Sequence, residues 1–267
     1  MSIKVCIAGV TGWTGKSVAE AVLESDDFEL VGAVARSSAG MPLSEALGYS
    51  LASDIIIMSE VRDALKVSTD VLIDYTHPTS VKQHVLSAIE SGSAAVIGTS
   101  GLMANDFQEI NEEAQKRQVG VISAGNFSIT AALLKHFSGI AAKYIPHWEI
   151  IDMASAGKPD APSGTAQELS EYLGEVAHNE LTVAISDTIG SVNARGATVG
   201  GAQVHSLRLP SYVLSVESVF GLPEERLSIR HDAGSSAQPY VGGTLLAAKE
   251  APERVGLIRG LDTLLFS

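Results

Sequence analysis

The sequence predicts an α/β protein with a doubly wound parallel sheet, joined to a second α+β domain that contains a mixed sheet. Short apolar runs alternate with helical patterns over the first half of the chain, which is typical of a right-handed, mostly parallel sheet. A glycine-rich turn follows the first apolar run. In the second half, longer strand patterns alternate with fewer helices.

The composition limits the class of protein. The chain has 267 residues, 45% of them hydrophobic, with 25 glycines and 9 prolines, which suits two well-packed, turn-rich domains. The net charge of −13 argues against nucleic-acid and anionic-membrane partners. The lone Cys6 cannot support a disulfide framework. Since no apolar run has membrane-spanning length and no leader pattern precedes the first strand, we expect a cytoplasmic protein.

Five short strands are expected in the first half, because near-continuous apolar runs indicate a sheet that is buried on both faces. They cover residues 4–8, 30–35, 71–75, 94–97 and 119–123. Helical patterns follow from residue 16 to about residue 25 and around residues 81–91. In such sheets ligands bind beyond the carboxyl ends of the strands, where glycine and hydroxyl residues collect in this sequence.

The first strand ends in the turn GVTGWTG, residues 9–15, and a helix follows. This Rossmann-type order of strand, turn and helix predicts a dinucleotide site, because the glycines let the backbone approach a pyrophosphate and the helix start stabilises its charge. The spacing is G-x-x-G-x-x-G, so a purely structural turn is the alternative. The predicted coenzyme contacts in this turn are Gly9, Thr11, Gly12, Trp13, Thr14 and Gly15.

The end of the second strand indicates which coenzyme binds. NAD enzymes usually place an acidic residue there, on the ribose 2′-hydroxyl, but this chain has Arg36 followed by Ser37 and Ser38. A guanidinium with neighbouring hydroxyls suits a 2′-phosphate, which an acid would repel. The sequence therefore favours NADPH, with NADH possible, and a solvated surface arginine is the alternative.

The character of the chain changes after a helix at residues 128–142. Strands are expected at residues 147–153, 204–209, 212–220 and 226–231, with a loop over 179–201 and a returning helix at 244–250. The predicted domains are residues 1–127 plus 240–267, which bind the dinucleotide, and residues 128–239, which bind substrate and support oligomerisation.

Residues 149–166, EIIDMASAGKPDAPSGTA, contain a second candidate site. A strand ends in small residues, Lys158 follows, and a proline beside small hydroxyl residues marks the start of a helix. Free N–H groups and the helix dipole make such a start an anion site. A cation beside it predicts a cradle for a carboxylate or phosphate, and an ordinary capped helix is the alternative.

Together these stretches resemble the dihydrodipicolinate reductase family over nearly the whole chain. The matching segments are VCIAGVTGWTG, DYTHP, VIGTSGL, AGNFS, KPDAPSGTA, VHSLRLP and LSIRHD. The resemblance implies NADH or NADPH as coenzyme, a tetramer built by the mixed-sheet domain, and a cyclic dicarboxylate substrate with an imine or enamine bond.

The resemblance also assigns residues. Beyond the glycine turn and Arg36, it places the coenzyme at Thr76, Gly98, Thr99, Ser100, Asn126 and Phe127. It places the substrate carboxylate at Lys158, Ser163, Gly164 and Thr165.

The chain departs from the family motif E-x-H-H-x-x-K-x-D-A-P-S-G-T-A at both histidines. Asp152 stands at the position of the motif's glutamate, and Ala154 and Ser155 stand at the positions of its two histidines. The first histidine is taken as the family's proton donor, and such a donor typically contributes about 10²–10⁴-fold in rate. Alanine cannot donate a proton, so the predicted catalytic residues are Lys158 as the acid and Ser155 as a relay through water.

The remaining histidines are weaker candidates. His84, His136 and His178 are expected on the surface. His77, His205 and His231 lie near strand ends and could approach the cleft, although structural roles are favoured. No spacing of histidine, cysteine or acid indicates a metal site.

Three functions stay open from the sequence. The first is a reductase acting on lysine-pathway dihydrodipicolinate or its hydrated form. The second is a diverged reductase of another imino or oxo acid, for which the small residues Ala154 and Ser155 provide space. The third is a non-catalytic nucleotide-binding regulator, which the missing histidine favours and the retained cradle opposes.

Overall fold

The structure is a computed structural model that describes residues 2–48 and 55–266. In chain order the strands are β1 Ile3–Ala8, β2 Phe28–Val34, β3 Val71–Asp74, β4 Ala94–Ile97, β5 Gly120–Ser123, β6 Trp148–Ala154, β7 Ala197–Val199, β8 Ala202–Arg208, β9 Leu214–Leu222, β10 Glu225–Ala233 and β11 Gly256–Arg259. The helices are α1 Trp13–Leu23, α2 Leu43–Leu47, α3 Val61–Ala64, α4 Val81–Ser91, α5 Ala104–Arg117, α6 Ile129–Ala142, α7 Gly164–Val176, α8 Gln238–Glu250 and α9 Leu261–Phe266.

The chain divides into two compact units. The first unit is Met1–Ile129 with Ala237–Ser267, and the second unit is Thr130–Ser236. No helix in the described part of the chain combines the length and apolar character that a membrane span requires.

The first unit contains a six-stranded sheet in the order β11-β5-β4-β3-β1-β2. All of its strand pairs are parallel, as the alternation of strands and helices predicts. Every residue of β3, β4 and β5 is buried, which explains why these strands are mainly apolar and do not alternate with polar residues. The polar exceptions, Asp74 and Ser123, are the last residues of β3 and β5. The predicted doubly wound α/β fold is confirmed.

The second unit contains a five-stranded mixed sheet in the order β10-β9-β6-β8-β7. Strands β6 and β8 are parallel, and the other pairs are antiparallel. One face of this sheet packs on α6 and α7 through a core that includes Leu134, Trp148, Leu169 and Phe220. The predicted α+β mixed-sheet fold is also confirmed.

Several predicted boundaries were wrong. The segment 179–201, predicted as loop, contains β7, which pairs with β8. Helix α8 begins at Gln238 instead of residue 244 and includes Gly243. Glycine is required there because a Cβ on Gly243 would lie 2.0 Å from the carbonyl oxygen of Phe127. Helix α5 and strand β11 were not predicted, and β11 is a four-residue edge strand beside β5.

Candidate functional site

The glycine-rich turn joins β1 to α1 in the first unit. Gly9 has a φ of +82°, and a Cβ on Gly15 would lie 2.0 Å from the carbonyl oxygen of Gly9. The folding of the turn therefore explains these two glycines without any ligand. Gly12 caps α1 without a side-chain hydrogen bond. Because the first helical N–H groups have no intrahelical partner, this helix start fits an anionic pyrophosphate.

A pocket of about 510 Å³ opens beside this turn. It is lined by Gly9, Thr11, Gly12, Val34, Ala35, Arg36, Ser37, Ser59, Glu60, Thr76, His77, Ser80 and His84. We call this set the nucleotide pocket. It brings together the glycine turn, the arginine–serine segment and Thr76, three parts of the chain that the sequence assigned to the coenzyme separately.

Seven residues that line the nucleotide pocket were not predicted as coenzyme contacts: Val34, Ala35, Ser59, Glu60, His77, Ser80 and His84. Met58 forms a parallel bridge with Val34, and the Ala35 N–H donates to the Met58 carbonyl at 3.0 Å. This pairing carries Glu60 into the same pocket as Arg36. Since Glu60 lies outside the segment where NAD enzymes carry their acid, its position in sequence gave no signal.

His84 is another lining residue that was not predicted as a contact. It was predicted to lie on the surface, but its side chain is only 17% exposed, and its Nδ1 lies 2.8 Å from Asp74 Oδ2. The surface prediction was wrong because His84 is on the face of α4 that turns toward the end of β3.

Other predicted coenzyme residues lie outside the lining of the nucleotide pocket. Trp13 is 61% exposed, with its ring 5.9 Å from that of Tyr240. Phe127 is 1% exposed, so almost none of its surface is available to a coenzyme. The Asn126 side chain accepts from the Ser128 N–H at 2.8 Å. The coenzyme roles of Trp13, Thr14, Gly15, Gly98, Thr99, Ser100, Asn126 and Phe127 stay predictions.

Asp74, at the end of β3, organises the turns beside the nucleotide pocket. Its side chain is fully buried. Its Oδ1 accepts from the Thr99 hydroxyl at 2.6 Å, the Thr76 hydroxyl at 2.8 Å and the Thr76 N–H at 3.1 Å. The Thr76 N–H also donates to the Thr99 hydroxyl at 2.7 Å. Asp74 therefore fixes the turns after β3 and β4.

The second candidate site is the start of α7 in the second unit. Ser163 caps this helix, and its hydroxyl oxygen accepts from the Ala166 N–H at 3.4 Å. The Ser163 N–H donates to Asp152 at 2.9 Å, and the residue is 1% exposed. These contacts assign Ser163 to the cap. The N–H groups of Gly164 and Thr165 are the ones left to bind an anion, since the first turn of a helix leaves its amides without intrahelical acceptors.

Lys158 lies in the turn that leads to this helix start. Its N–H donates to the Ser155 carbonyl at 3.1 Å. Its Nζ lies 2.8 Å from Asp160 Oδ1, and its side chain is 32% exposed. The Lys158 side chain is therefore held in an ion pair with Asp160, which was not predicted from the sequence. We call Lys158, Gly164 and Thr165 the anion cradle.

A buried ion pair supports the anion cradle. Asp152 Oδ2 accepts from Arg208 Nη2 at 2.7 Å and from the Ser206 hydroxyl at 2.9 Å, besides the Ser163 N–H. Arg208 Nη2 also donates to the Asp160 carbonyl at 2.6 Å. Arg208 thus fastens the segment between Lys158 and α7 to the end of β6.

The charge state of Asp152 follows from its partners. Burial opposes the charged form of the carboxyl, but hydrogen bonds from Ser163, Arg208 and Ser206 outweigh it, so the pKa of Asp152 lies below its ordinary value. Asp152 is therefore ionised near neutral pH and has no proton to donate.

Ala154, at the position of the missing histidine, ends β6 between Arg208 of β8 and Leu214 of β9. It exposes none of its surface. The hypothesis that a small residue here opens space for a different substrate finds no such space at Ala154.

The other histidine candidates of the second unit lie in structural positions. His231 is 2% exposed, its Nδ1 lies 2.9 Å from the Thr130 hydroxyl, and burial lowers its pKa. His205 Nε2 lies 2.8 Å from Glu149, which also pairs with Arg195 at 3.0 Å.

A larger cavity of about 750 Å³ lies over the mixed sheet. It is lined by His205, Glu149 and Arg195, and partly by Leu181, Val183 and Leu207. Its walls carry neither a glycine turn nor an open helix start, so its size alone does not make it the reaction site.

Comparisons with known proteins agree with these features. The family models described as "Dihydrodipicolinate reductase, N-terminus" and "Dihydrodipicolinate reductase, C-terminus" match residues 3–127 and 129–265. The 4-hydroxy-tetrahydrodipicolinate reductase of Desulfitobacterium hafniense is 35% identical over 264 residues, 98% of each chain. That of Moorella thermoacetica is 34% identical over 99% of this chain and 98% of the relative.

Solved structures show the same relationship. The dipicolinate-bound dihydrodipicolinate reductase from Paenisporosarcina sp. TG-14 superimposes with a TM-score of 0.90 at 29% identity, over 99% of this chain and 100% of that one. An amine dehydrogenase from Mycobacterium smegmatis, at 14% identity and a TM-score of 0.68, covers 98% of this chain and 96% of its own and shares the fold alone. The chain belongs to the dihydrodipicolinate reductase family and is an NAD(P)H-dependent oxidoreductase of that type.

Proposed function

We propose that this reductase transfers hydride from NADPH to a C=N or conjugated C=C bond of a small, cyclic, carboxylated imine. The main support for this substrate class is the anion cradle, which combines the Lys158 ammonium with the N–H groups of Gly164 and Thr165 at the start of α7. A carboxylate suits this combination of a cation with free N–H groups. The curated relatives are named for 4-hydroxy-tetrahydrodipicolinate, and we propose that compound or its dehydrated form as substrate, in lysine biosynthesis.

The nucleotide pocket supports coenzyme binding in the first unit. When bound, the coenzyme supplies the hydride. The open start of α1 suits the pyrophosphate, and Arg36 and Ser37 suit a ribose 2′-phosphate. Glu60 in the same pocket opposes a 2′-phosphate and suits a 2′-hydroxyl. We therefore propose NADPH as the preferred coenzyme, with NADH accepted because Glu60 accompanies Arg36.

The proton donor must differ from the histidine of the family motif, because Ala154 stands at that position. Ala154 cannot donate, and Asp152 is ionised. Lys158 carries protons on Nζ, and its side chain is partly exposed. We propose Lys158 as both carboxylate ligand and acid, with Ser155, one residue past β6, as a relay through water. Asp160 holds the ammonium until a carboxylate replaces it.

The assembly and location are also proposals. We propose a homotetramer formed through the mixed sheet, because Leu207, Leu209, Val213 and Leu227 of this region are each more than 40% exposed and apolar patches on proteins mark interaction surfaces. Light scattering of the purified chain would test it. A cytoplasmic location is proposed from the lone, buried Cys6.

The decisive experiment measures turnover. Purified protein is mixed with NADPH and freshly condensed pyruvate plus aspartate semialdehyde, and the loss of absorbance at ~340 nm from the nicotinamide is followed. Lys158→Ala is expected to lower kcat/KM by about 10²–10⁴-fold, since it removes the proposed acid and carboxylate ligand. Lys143→Ala, at an exposed lysine after α6, is the matched control and should leave kcat/KM unchanged.

Other outcomes separate the alternatives. Turnover on this substrate that survives Lys158→Ala would contradict the assigned acid. No turnover on this substrate, with turnover on another imino or oxo acid, would favour the diverged reductase. NADPH binding without turnover on any of these acids would favour the non-catalytic regulator, which the family relationship disfavours.

A further inference from the structure

The pair formed by Asp74 and His84 sits in the nucleotide pocket without a role in the proposed function. His84, on α4, lines the pocket with its side chain 17% exposed. Its Nδ1 lies 2.8 Å from Asp74 Oδ2. The other oxygen of Asp74 accepts from Thr76 and Thr99. A buried carboxylate with several donors thus fixes the Nδ1 edge of an imidazole whose residue lines the pocket.

These contacts determine the tautomer of His84. An ionised carboxylate can only accept hydrogen bonds, so the contact with Asp74 requires a proton on Nδ1 of His84. In the neutral ring Nε2 then carries a lone pair and can accept a hydrogen bond. No hydrogen bond joins Nε2 of His84 to another residue in the described ranges 2–48 and 55–266. Nε2 of His84 is therefore an acceptor that is held in place and has no hydrogen-bond partner among the described residues.

The sheet order indicates which part of the coenzyme His84 would meet. Strand β1, which leads to the glycine turn, lies between β2 and β3. Arg36 follows β2, whereas Asp74 ends β3 and His84 lies on the helix after it. With the pyrophosphate at the start of α1 and the 2′-phosphate at Arg36, the second ribose extends toward β3.

We propose that His84 Nε2 accepts a hydrogen bond from a hydroxyl of the nicotinamide-side ribose, and that Asp74 is the positioning residue that sets its tautomer. The inference rests on the proposed assignment of the nucleotide pocket to the coenzyme. His178 serves as the matched control, because it is an exposed histidine of the second unit that does not line the nucleotide pocket.

The test uses two ligands, NADPH and 2′,5′-ADP, which keeps only the adenosine half of the coenzyme. Dissociation constants are measured by calorimetry on the full chain and on His84→Asn, His84→Gln, His178→Asn and Arg36→Ala. Asparagine at residue 84 keeps a donor toward Asp74 but lacks the Nε2 acceptor, so the local fold is expected to persist. Glutamine places an amide oxygen near the Nε2 position.

His84→Asn is expected to weaken NADPH binding by about five- to tenfold, the effect of one lost hydrogen bond with a desolvated hydroxyl. Its affinity for 2′,5′-ADP should stay within about twofold of wild type, and His84→Gln should recover part of the NADPH affinity. His178→Asn should match wild type with both ligands.

Two results would overturn the inference. One is NADPH affinity of His84→Asn equal to that of wild type. The other is equal weakening of NADPH and 2′,5′-ADP, which would indicate a general change of the pocket. Arg36→Ala separates this inference from the pocket assignment, because it should weaken both ligands. If neither Arg36→Ala nor His84→Asn affects binding, the coenzyme does not bind in this pocket and both proposals fail together.

Discussion

Asp74 and Asp152 are both fully buried carboxylates on central strands, but they are satisfied in different ways. Asp74 uses both oxygens, and its donors are hydroxyls, an N–H group and a histidine. Asp152 gathers Ser163, Ser206 and Arg208 on Oδ2, and its Oδ1 has no hydrogen-bond partner within the described residues.

The difference reflects what each carboxylate holds. Asp74 spreads moderate hydrogen bonds over two turns, so the loss of one donor leaves the others in place. Asp152 depends on a single guanidinium that also fastens the Asp160 carbonyl. Removing one partner of a buried ion pair leaves the other charge without compensation. We therefore expect the anion cradle to be more sensitive to single substitutions than the turns beside the nucleotide pocket.

The largest effect is expected from Arg208→Met, which leaves Asp152 buried without its cation. The free energy of unfolding should fall by about 3 kcal/mol, measured by urea denaturation of the full chain. The double variant Asp152→Asn with Arg208→Met should recover part of the loss, because neither charge remains. A loss in Arg208→Met as small as that of an exposed-residue variant would contradict the comparison.

The matched change beside the nucleotide pocket is Thr99→Val, which removes one neutral donor from Asp74. The free energy of unfolding should fall by about 1.5–2 kcal/mol, near the lower end for a hydrogen bond to a charged group and less than for Arg208→Met. Thr79→Val, at an exposed threonine, is the control and should cost less. If Thr99→Val destabilised the protein as much as Arg208→Met, the claim that Asp74 is the more robust centre would be wrong.

Acid should affect Asp152 in a predictable direction. Its folded pKa lies below the ordinary value of 3.8, so its stabilisation is complete above about pH 5 and is lost as the pH falls through the folded pKa. The stability difference between wild type and Asp152→Asn should therefore shrink from pH 6 toward about pH 3. Urea denaturation at several pH values measures it, and a difference independent of pH would refute the assigned charge state.

The smallest effect is expected from Asp160→Asn, which removes an exposed competitor for Lys158. With the ion pair absent, affinity for pyridine-2,6-dicarboxylate should rise by about two- to fourfold, since exposed pairs are weak. Glu168→Gln removes the acid that pairs with Lys135 and serves as the control. Weaker binding in Asp160→Asn would show that Asp160 orients Lys158 for the carboxylate and does not compete with it.

Local sequence patterns predicted much of the fold. Strands β3 and β4 agree with the prediction to within one residue. Short continuous apolar runs such as Val71-Leu72-Ile73 are typical of strands in a sheet that is covered by helices on both faces. The predicted helix at residues 81–91 coincides with α4. Strand β7 was missed because three residues in a polar, glycine-rich segment carry no periodicity and depend on β8 for their hydrogen bonds.

The sequence by itself determined the doubly wound sheet, the glycine turn, the arginine at the end of β2 and the lysine before α7. Each of these depends on neighbours within one turn of helix or one strand, where backbone conformation and hydrophobic periodicity act directly. The resemblance to a known family indicated the substrate class. It could not identify the residue that donates the proton in place of the histidine at the position of Ala154.

Only the tertiary structure decided which side chains meet. Arg208 reaches Asp152 from 56 residues away, and Thr99 reaches Asp74 from 25 residues away. Glu60 and His84 enter the nucleotide pocket because strand pairing and sheet order bring their segments there. Such partners are selected by non-local hydrogen bonding and packing, and the free energy of satisfying a buried charge appears only once the chain has folded.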